Sequence, residues 1–179
     1  MKRIFAAVDN GCTGTIGAVS ESGDWSFFVP VPTYRTEDYN RTKVKHTTHV
    51  DFDVLSSYLK ALMAQGELSL VTERPLKNPR LFNATLSGIR AHEILLAVTR
   101  SLGVQLAGTM DSRDWQVPMC GIFEKGESKP ASAAAGALLF PEHEAAIRKH
   151  GDADGLLMAE FHRRRVLAEE AKTEKETEE

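Results

Sequence analysis

Three acids in this chain stand where a strand or a helix is expected to begin or end. Asp9 closes the apolar run RIFAAVD (residues 3–9), just before Asn10 and Gly11. Glu73 follows the run LSLVT at 68–72, and Asp154 falls in the first turn of a last helix that starts near Gly151. If the fourth strand crosses over to lie beside the first, Asp9 and Glu73 come side by side. Two carboxylates meeting in one place repel each other unless one is protonated or a cation bridges them. Hard oxygen donors of this kind suit Mg²⁺ or Mn²⁺. Any one of these acids alone is an ordinary loop cap. The three together, in this order of elements, point to a metal centre.

The elements that must position them are legible from period and punctuation. Residues 3–9, 14–20 and 24–31 read as three strands, with Ser22-Gly23-Asp24 as a turn signal, so they are expected to form an antiparallel meander. Residues 32–50 are rich in Thr, basic residues and His without a usable period, and are expected to be a long exposed loop. Asp51 or Asp53 can cap a helix running to about Gln65, with Phe52, Leu55, Leu59, Leu62 and Met63 on one face. After the strand at 68–72 a polar link leads to a long amphipathic helix at 82–101 bearing Leu86, Ile89, Ile94, Leu95 and Val98, and its face with Leu86, Ile89, Ala97 and their neighbours reads as core. A fifth strand at 104–109 is followed by helices only. The order describes an α/β fold with a mixed five-stranded sheet, three strands antiparallel and two added by crossovers, flanked by helices.

At 179 residues and 42% hydrophobic content the chain is the size of one domain, or a domain with a tail, and can bury a core. No apolar run approaches the roughly 18 residues of a membrane span. The N-terminus opens with charge but has neither a long apolar segment nor a small-residue cleavage site, so no secretory leader is expected. Cys12 and Cys120 lie too far apart for a metal knuckle, which excludes a zinc ribbon and a disulfide framework and fits a reducing, cytoplasmic setting. The net charge of -3 is uneven: residues 167–179, LAEEAKTEKETEE, carry six Glu against two Lys, leaving residues 1–166 close to neutral. That tail is expected to be a fraying helix end or a solvated, disordered segment. Any nucleic-acid surface must then be a local patch.

VDNGCTGTIGAV resembles the opening strand-turn-strand of the RuvC-like Holliday-junction resolvases, within the RNase H-like superfamily. VTERP is similar to the family's fourth strand with its glutamate, and LFNATLSGIRAHEILLAV to the long helix after it. DWQ and KGESKPASAAAGALLFP resemble its Trp-containing and Lys-bearing stretches, especially in the phage-type branch, and HGDADGLLMAEF resembles the start of its last helix. The succession covers roughly residues 3–166. The resemblance implies an RNase H-like nuclease domain over 1–166 that hydrolyses phosphodiesters in branched DNA with two divalent ions, Mg²⁺ or Mn²⁺. It implies that Asp9 bridges both ions, Glu73 holds one and Asp154 the other. It further implies a homodimer making paired, symmetric nicks in a four-way junction inside a bacterial cell, with host and phage origin both open. The family's fourth ligand, Asp or His, stands about one turn before the last Asp, and here the sequence departs from it, with Gly151 three residues before Asp154. His150, four before, shares the face of Asp154 and is favoured; Asp152 is the alternative, with a helix N-cap as its simpler role.

Candidate DNA contacts follow the acids. Arg74, Lys77 and Arg80 lie directly after Glu73, and Lys125 and Lys129 flank GES in the Lys-bearing stretch. Arg41, Lys43 and Lys45, with Arg35, Tyr34 and Tyr39, interleave basic and aromatic residues in the 32–50 segment. Phe82 reads more simply as core at a helix start than as a wedge, and Trp115 as packing. Two other readings compete: a non-catalytic junction-binding module with the same fold, and an actin- or sugar-kinase-like ATPase fragment suggested by DNGCTGTIG. The ATPase architecture needs two such domains around a cleft.

Overall fold

The computed structural model describes residues 2–38, 45–75 and 78–178. β1 (Arg3–Val8), β2 (Thr15–Ser20) and β3 (Ser26–Pro30) form the expected antiparallel meander, with Val8 opposite Ile16 and Gly17 opposite Phe28. The described parts of the 32–50 segment are strands rather than the expected loop. β4 (Thr33–Asp38) and β5 (Lys45–Val50) pair as a separate two-stranded antiparallel ribbon, in which the Tyr34 and His49 rings stack 5.3 Å apart. β-branched Thr33, Thr36, Thr47 and Thr48 favour extended backbone. Most of the ribbon's described side chains are exposed or half-buried, so no apolar alternation marked it in the sequence.

Asp51 caps α1 (Phe52–Met63), its carboxylate accepting from the Asp53 and Val54 N–H groups. β6 (Glu67–Glu73), α2 (Phe82–Leu102) and β7 (Leu106–Met110) follow, then α3 (Ser112–Cys120), α4 (Ser128–Leu139), α5 (Glu144–His150) and α6 (Asp154–Glu178). The main sheet has the order β3-β2-β1-β6-β7, with β6 parallel to β1 and β7 parallel to β6. This is the mixed five-stranded sheet flanked by helices that the pattern of elements predicts. No helix among the described residues is long and apolar enough to cross a membrane.

Side chains alternate across β1, and each face of the sheet has its own core. Ile4, Ala6 and Val8 pack with Leu55, Leu59 and Leu62 of α1 and Leu95 and Val98 of α2. Ala7, Val71 and Met110 pack on the other face with Trp115, Ile147, Leu156 and Leu157. The stripe that α2 buries is Ala91, Leu95, Val98 and Thr99. Ile89 and Ala97 are exposed rather than core, and Phe82 is 67% exposed.

α6 sits closer to the sheet than a side chain at its crossing point allows. A Cβ on Gly17 would lie 2.2 Å from Leu156 Cα, and one on Gly155 would lie 2.4 Å from the Thr15 carbonyl oxygen. The Gly155 N–H donates to Thr15 Oγ1 at 2.8 Å. Two glycines and one threonine thus bring the first turn of α6 against the strand that runs antiparallel to β1. The tail is not frayed from its start, since α6 continues to Glu178, and Glu170 pairs with Arg3 at the beginning of β1.

Candidate active site

Parallel pairing of β1 with β6 sets Val8 beside Thr72, so the residues that follow, Asp9 and Glu73, emerge together at one end of the sheet. Thr72 Oγ1 donates to the Val8 carbonyl at 3.0 Å, and the Asn10 amide donates to the Glu73 carbonyl, tying the two strand ends together. The third and fourth acids arrive from above. Gly151 ends α5 in the left-handed region (φ 102°), and α6 begins only at Asp154. Residues 151–153 therefore form a break that turns Asp152 inward, 1% exposed, beside Asp154.

Carboxylate oxygens of Asp9, Asp152 and Asp154 lie within 4.8 Å of one another. Glu73 borders this group from β6. His150, the favoured fourth ligand from the sequence, stands beside it: its Nε2 is 3.2 Å from the Thr13 carbonyl, to which it donates, and 3.6 Å from Asp152 Oδ1. Asp152 does not act as a helix cap. Its Oδ2 accepts from Lys129 Nζ at 3.0 Å, and its buried Oδ1 has no hydrogen-bond partner.

The electrostatics match a cluster of acids with too few counter-charges. Burial raises Asp9 well above the usual carboxylate range, and the charges of Glu73 and Asp154 raise it further. Glu73 is raised by burial, which interactions with Asp9 and the Trp115 indole oppose in part, and the Asp111 charge adds to the rise. Burial pushes Asp154 up to about 6; the Ser132 hydroxyl, donating to it, opposes the shift, and Asp152 and Glu73 reinforce it. Lys129 supplies one ammonium: burial works against its charge, but the bond to Asp152 and the field of the acids hold it protonated. An unpaired buried oxygen, hard donors from two strand ends and a helix start, and several carboxylates raised together fit divalent cations. The residues present suit Mg²⁺ or Mn²⁺.

The basic residues are dispersed. Arg74 pairs with Asp111 at 3.2 Å, and Arg80 and Lys125 are exposed. Lys45 opens β5, while Arg41, Lys43, Tyr39 and Lys77 lie outside the described residues. Sequence reasoning missed two supporting groups. Ser132 also accepts from the Ala153 N–H at 3.0 Å, fixing the break before α6; its one signal was a hydroxyl set within the Ala-rich run of a helix that packs against α6. Asn10, next to Asp9, also meets His92 Nδ1 of α2 at 3.3 Å. Trp115, read as packing, is fully buried and additionally touches the electrostatics of Glu73.

No protein-family profile matches the chain, and no curated protein matches it significantly. Among solved structures, the chain is similar to Thermus thermophilus RuvC in complex with a Holliday junction substrate, with 14% identity over 92% of this chain and 96% of that one, at a TM-score of 0.46. It is likewise similar to another Thermus thermophilus RuvC structure, with 13% identity over 92% and 96% of the two chains, at a TM-score of 0.44.

Proposed function

We propose that this chain is a structure-selective endodeoxyribonuclease that resolves four-way DNA junctions by divalent-metal-dependent phosphodiester hydrolysis. The observation that carries the reading is the convergence of Asp9, Asp152 and Asp154 within 4.8 Å, with Glu73 alongside, in surroundings that disfavour the charge of Asp9, Glu73 and Asp154. Burying acids together is costly unless a cation is bound there, so the arrangement makes sense as a metal centre. Asp9, Glu73, Asp154 and Asp152 would hold the ions, with His150 beside Asp152 as the other candidate for the fourth position. Bound in a pair, divalent cations supply a water of lowered pKa and neutralise charge on the leaving oxygen.

The protein's own groups do the rest. Ser132 orients Asp154, Asn10 ties Asp9's turn to Glu73's strand, and Lys129 places a fixed positive charge beside the carboxylates, where a scissile phosphate would approach. Arg74, Lys77, Arg80 and Lys125, with Arg41, Lys43 and Lys45, are the proposed contacts to DNA backbone, sequence-independent and weakened by salt. The nuclease domain spans residues 1–166, with 167–179 as an acidic tail on the end of α6. A homodimer is part of the proposal. Phe82, Ile89 and Leu96 are exposed along one side of α2 at seven-residue intervals, a stripe that a second copy would cover, and two-fold symmetry would offer two sites to two strands.

The test is cleavage of a labelled, immobile four-way junction in Mg²⁺, with linear duplex and Asp9→Asn protein alongside. Paired nicks in the junction, absent from duplex and from the variant, are expected. Tight junction binding with no cleavage in either Mg²⁺ or Mn²⁺ would overturn the reading in favour of a binding module.

A further inference from the structure

Between the β4–β5 ribbon and α2 lies a cleft of about 670 Å³, lined by Tyr34, His46 and His49 on one wall and Asn83, Ser87 and Arg90 on the other. Cys12, in the turn that follows Asp9, also lines it. Cys12 of that turn donates to the Thr48 carbonyl of β5 at 3.4 Å and lies 3.7 Å from Ser87 Oγ of α2. Among the described residues no carboxylate lines the cleft, in contrast to the acid cluster next to it. Arg90 is exposed and makes no ion pair among the described residues. Tyr34 is 49% exposed, and its ring is held at 24° to that of His49, a flat aromatic surface already in position before any ligand arrives. The volume suits one or two nucleotides and is far too small for a duplex.

We propose that this cleft binds a single-stranded arm of the branched substrate, a base stacking on Tyr34 and a phosphate meeting Arg90; this rests on the nuclease reading above and adds to it a preference for branched DNA with an unpaired strand. Stacking on an aromatic ring is tolerant of base identity, and an unpaired arginine adds a salt-sensitive phosphate contact. The ribbon thereby selects among branched substrates, whereas the carboxylates act on all of them.

The experiment measures fluorescence anisotropy of a labelled oligothymidylate with the full chain in chelator, then cleavage in Mg²⁺ of a fork with one single-stranded arm and of a four-way junction with duplex arms only. Tyr34→Ala is expected to weaken oligothymidylate binding about tenfold, and Tyr34→Trp to restore it. Arg90→Gln, on a different element, is expected to weaken binding and to lower its log–log salt slope by about one. Both Tyr34→Ala and Arg90→Gln should reduce fork cleavage about tenfold relative to junction cleavage. Wild-type affinity in both variants, equal competition by duplex, or an equal fall in fork and junction cleavage would overturn the proposal. A wild-type protein that cuts neither substrate would instead overturn the nuclease reading, and oligothymidylate binding in chelator would still decide the cleft.

Discussion

The two ends of β1 treat charge in opposite ways. At its start, Arg3 reaches both Glu21 and Glu170, and these carboxylates are held below their usual range by the guanidinium. One helix, α6, repeats the contrast within itself. Glu160 is buried yet paired with Arg163 and Arg164, which outweigh its desolvation and hold it ionised, while Asp154, six residues earlier, is pushed up to about 6. One end of the sheet is electrostatically satisfied and the other is not. Paired acids can be explained by folding alone. Acids gathered without sufficient counter-charge lower stability and are more readily explained by a bound cation and a reaction.

The largest break in that contrast should come from Asp9→Asn. Cleavage of a four-way junction is expected to fall by at least about a thousandfold, because the interaction of a carboxylate with a divalent ion is worth several kcal/mol, while junction affinity in a gel-shift assay stays within about threefold. Gly17→Ala tests the docking of α6 that brings the acids together. Its Cβ would meet Leu156 backbone, so urea unfolding should show a loss of about 3 kcal/mol or more.

The pH dependence of stability sharpens the comparison. Asp154 is raised from 3.8 to about 6 in the fold, so in chelator its contribution is present in full below pH 4 and is lost as pH rises through about 6. Asp154→Asn should therefore gain on the wild type by about 3 kcal/mol between pH 4 and pH 8, read as the difference between their urea midpoints. At the satisfied end the sign reverses: Glu160 is lowered, so its contribution is present above its usual range and is lost only on acidification.

Smaller effects separate Asp152 from His150. Asp152→Asn should reduce cleavage about a hundredfold and His150→Ala by about tenfold or less, since His150 donates to the Thr13 carbonyl and stands behind Asp152. The reverse order in initial rates would make His150 the ligand. Smallest of all, Arg164→Ala, half exposed and replaceable by Arg163 at Glu160, should cost about 0.5 kcal/mol in urea unfolding and leave cleavage unchanged.

Much of this site was legible before any coordinates. A short apolar run ending in an acid marks a strand end and is by itself an ordinary loop cap; it was the expected βββαβαβ order that set Asp9 and Glu73 side by side, as the parallel pairing of β1 and β6 does. Asp152 was harder to read, because a regular helix turns positions 152 and 154 apart. Gly151 in the left-handed region and the start of α6 at Asp154 remove that geometry; the basic turn ending in Gly151 carries a helix-stop signal, but the restart at Asp154 rather than near Gly151 is not written in the residue types. The β4–β5 ribbon escaped because period-2 alternation reports a buried face, and this ribbon has little to bury. The α2 stripe was assigned only in part, for a related reason: Leu95 and Val98 are buried as expected, whereas Ile89 and Ala97 are exposed. Leu86, Ile89 and Ala97 and the truly buried Ala91, Leu95 and Val98 are neighbouring apolar rows on one helix, and only packing decides which row faces the sheet.

The most direct test of the central claim, that the unsatisfied end of β1 is a cation centre, is calorimetric titration of Mn²⁺ into the wild-type chain and into Asp9→Asn at neutral pH. The account predicts saturable binding to the wild type with release of protons from the raised carboxyls, and loss of that binding in the variant. Identical isotherms for the two proteins, or no binding to either, would contradict it.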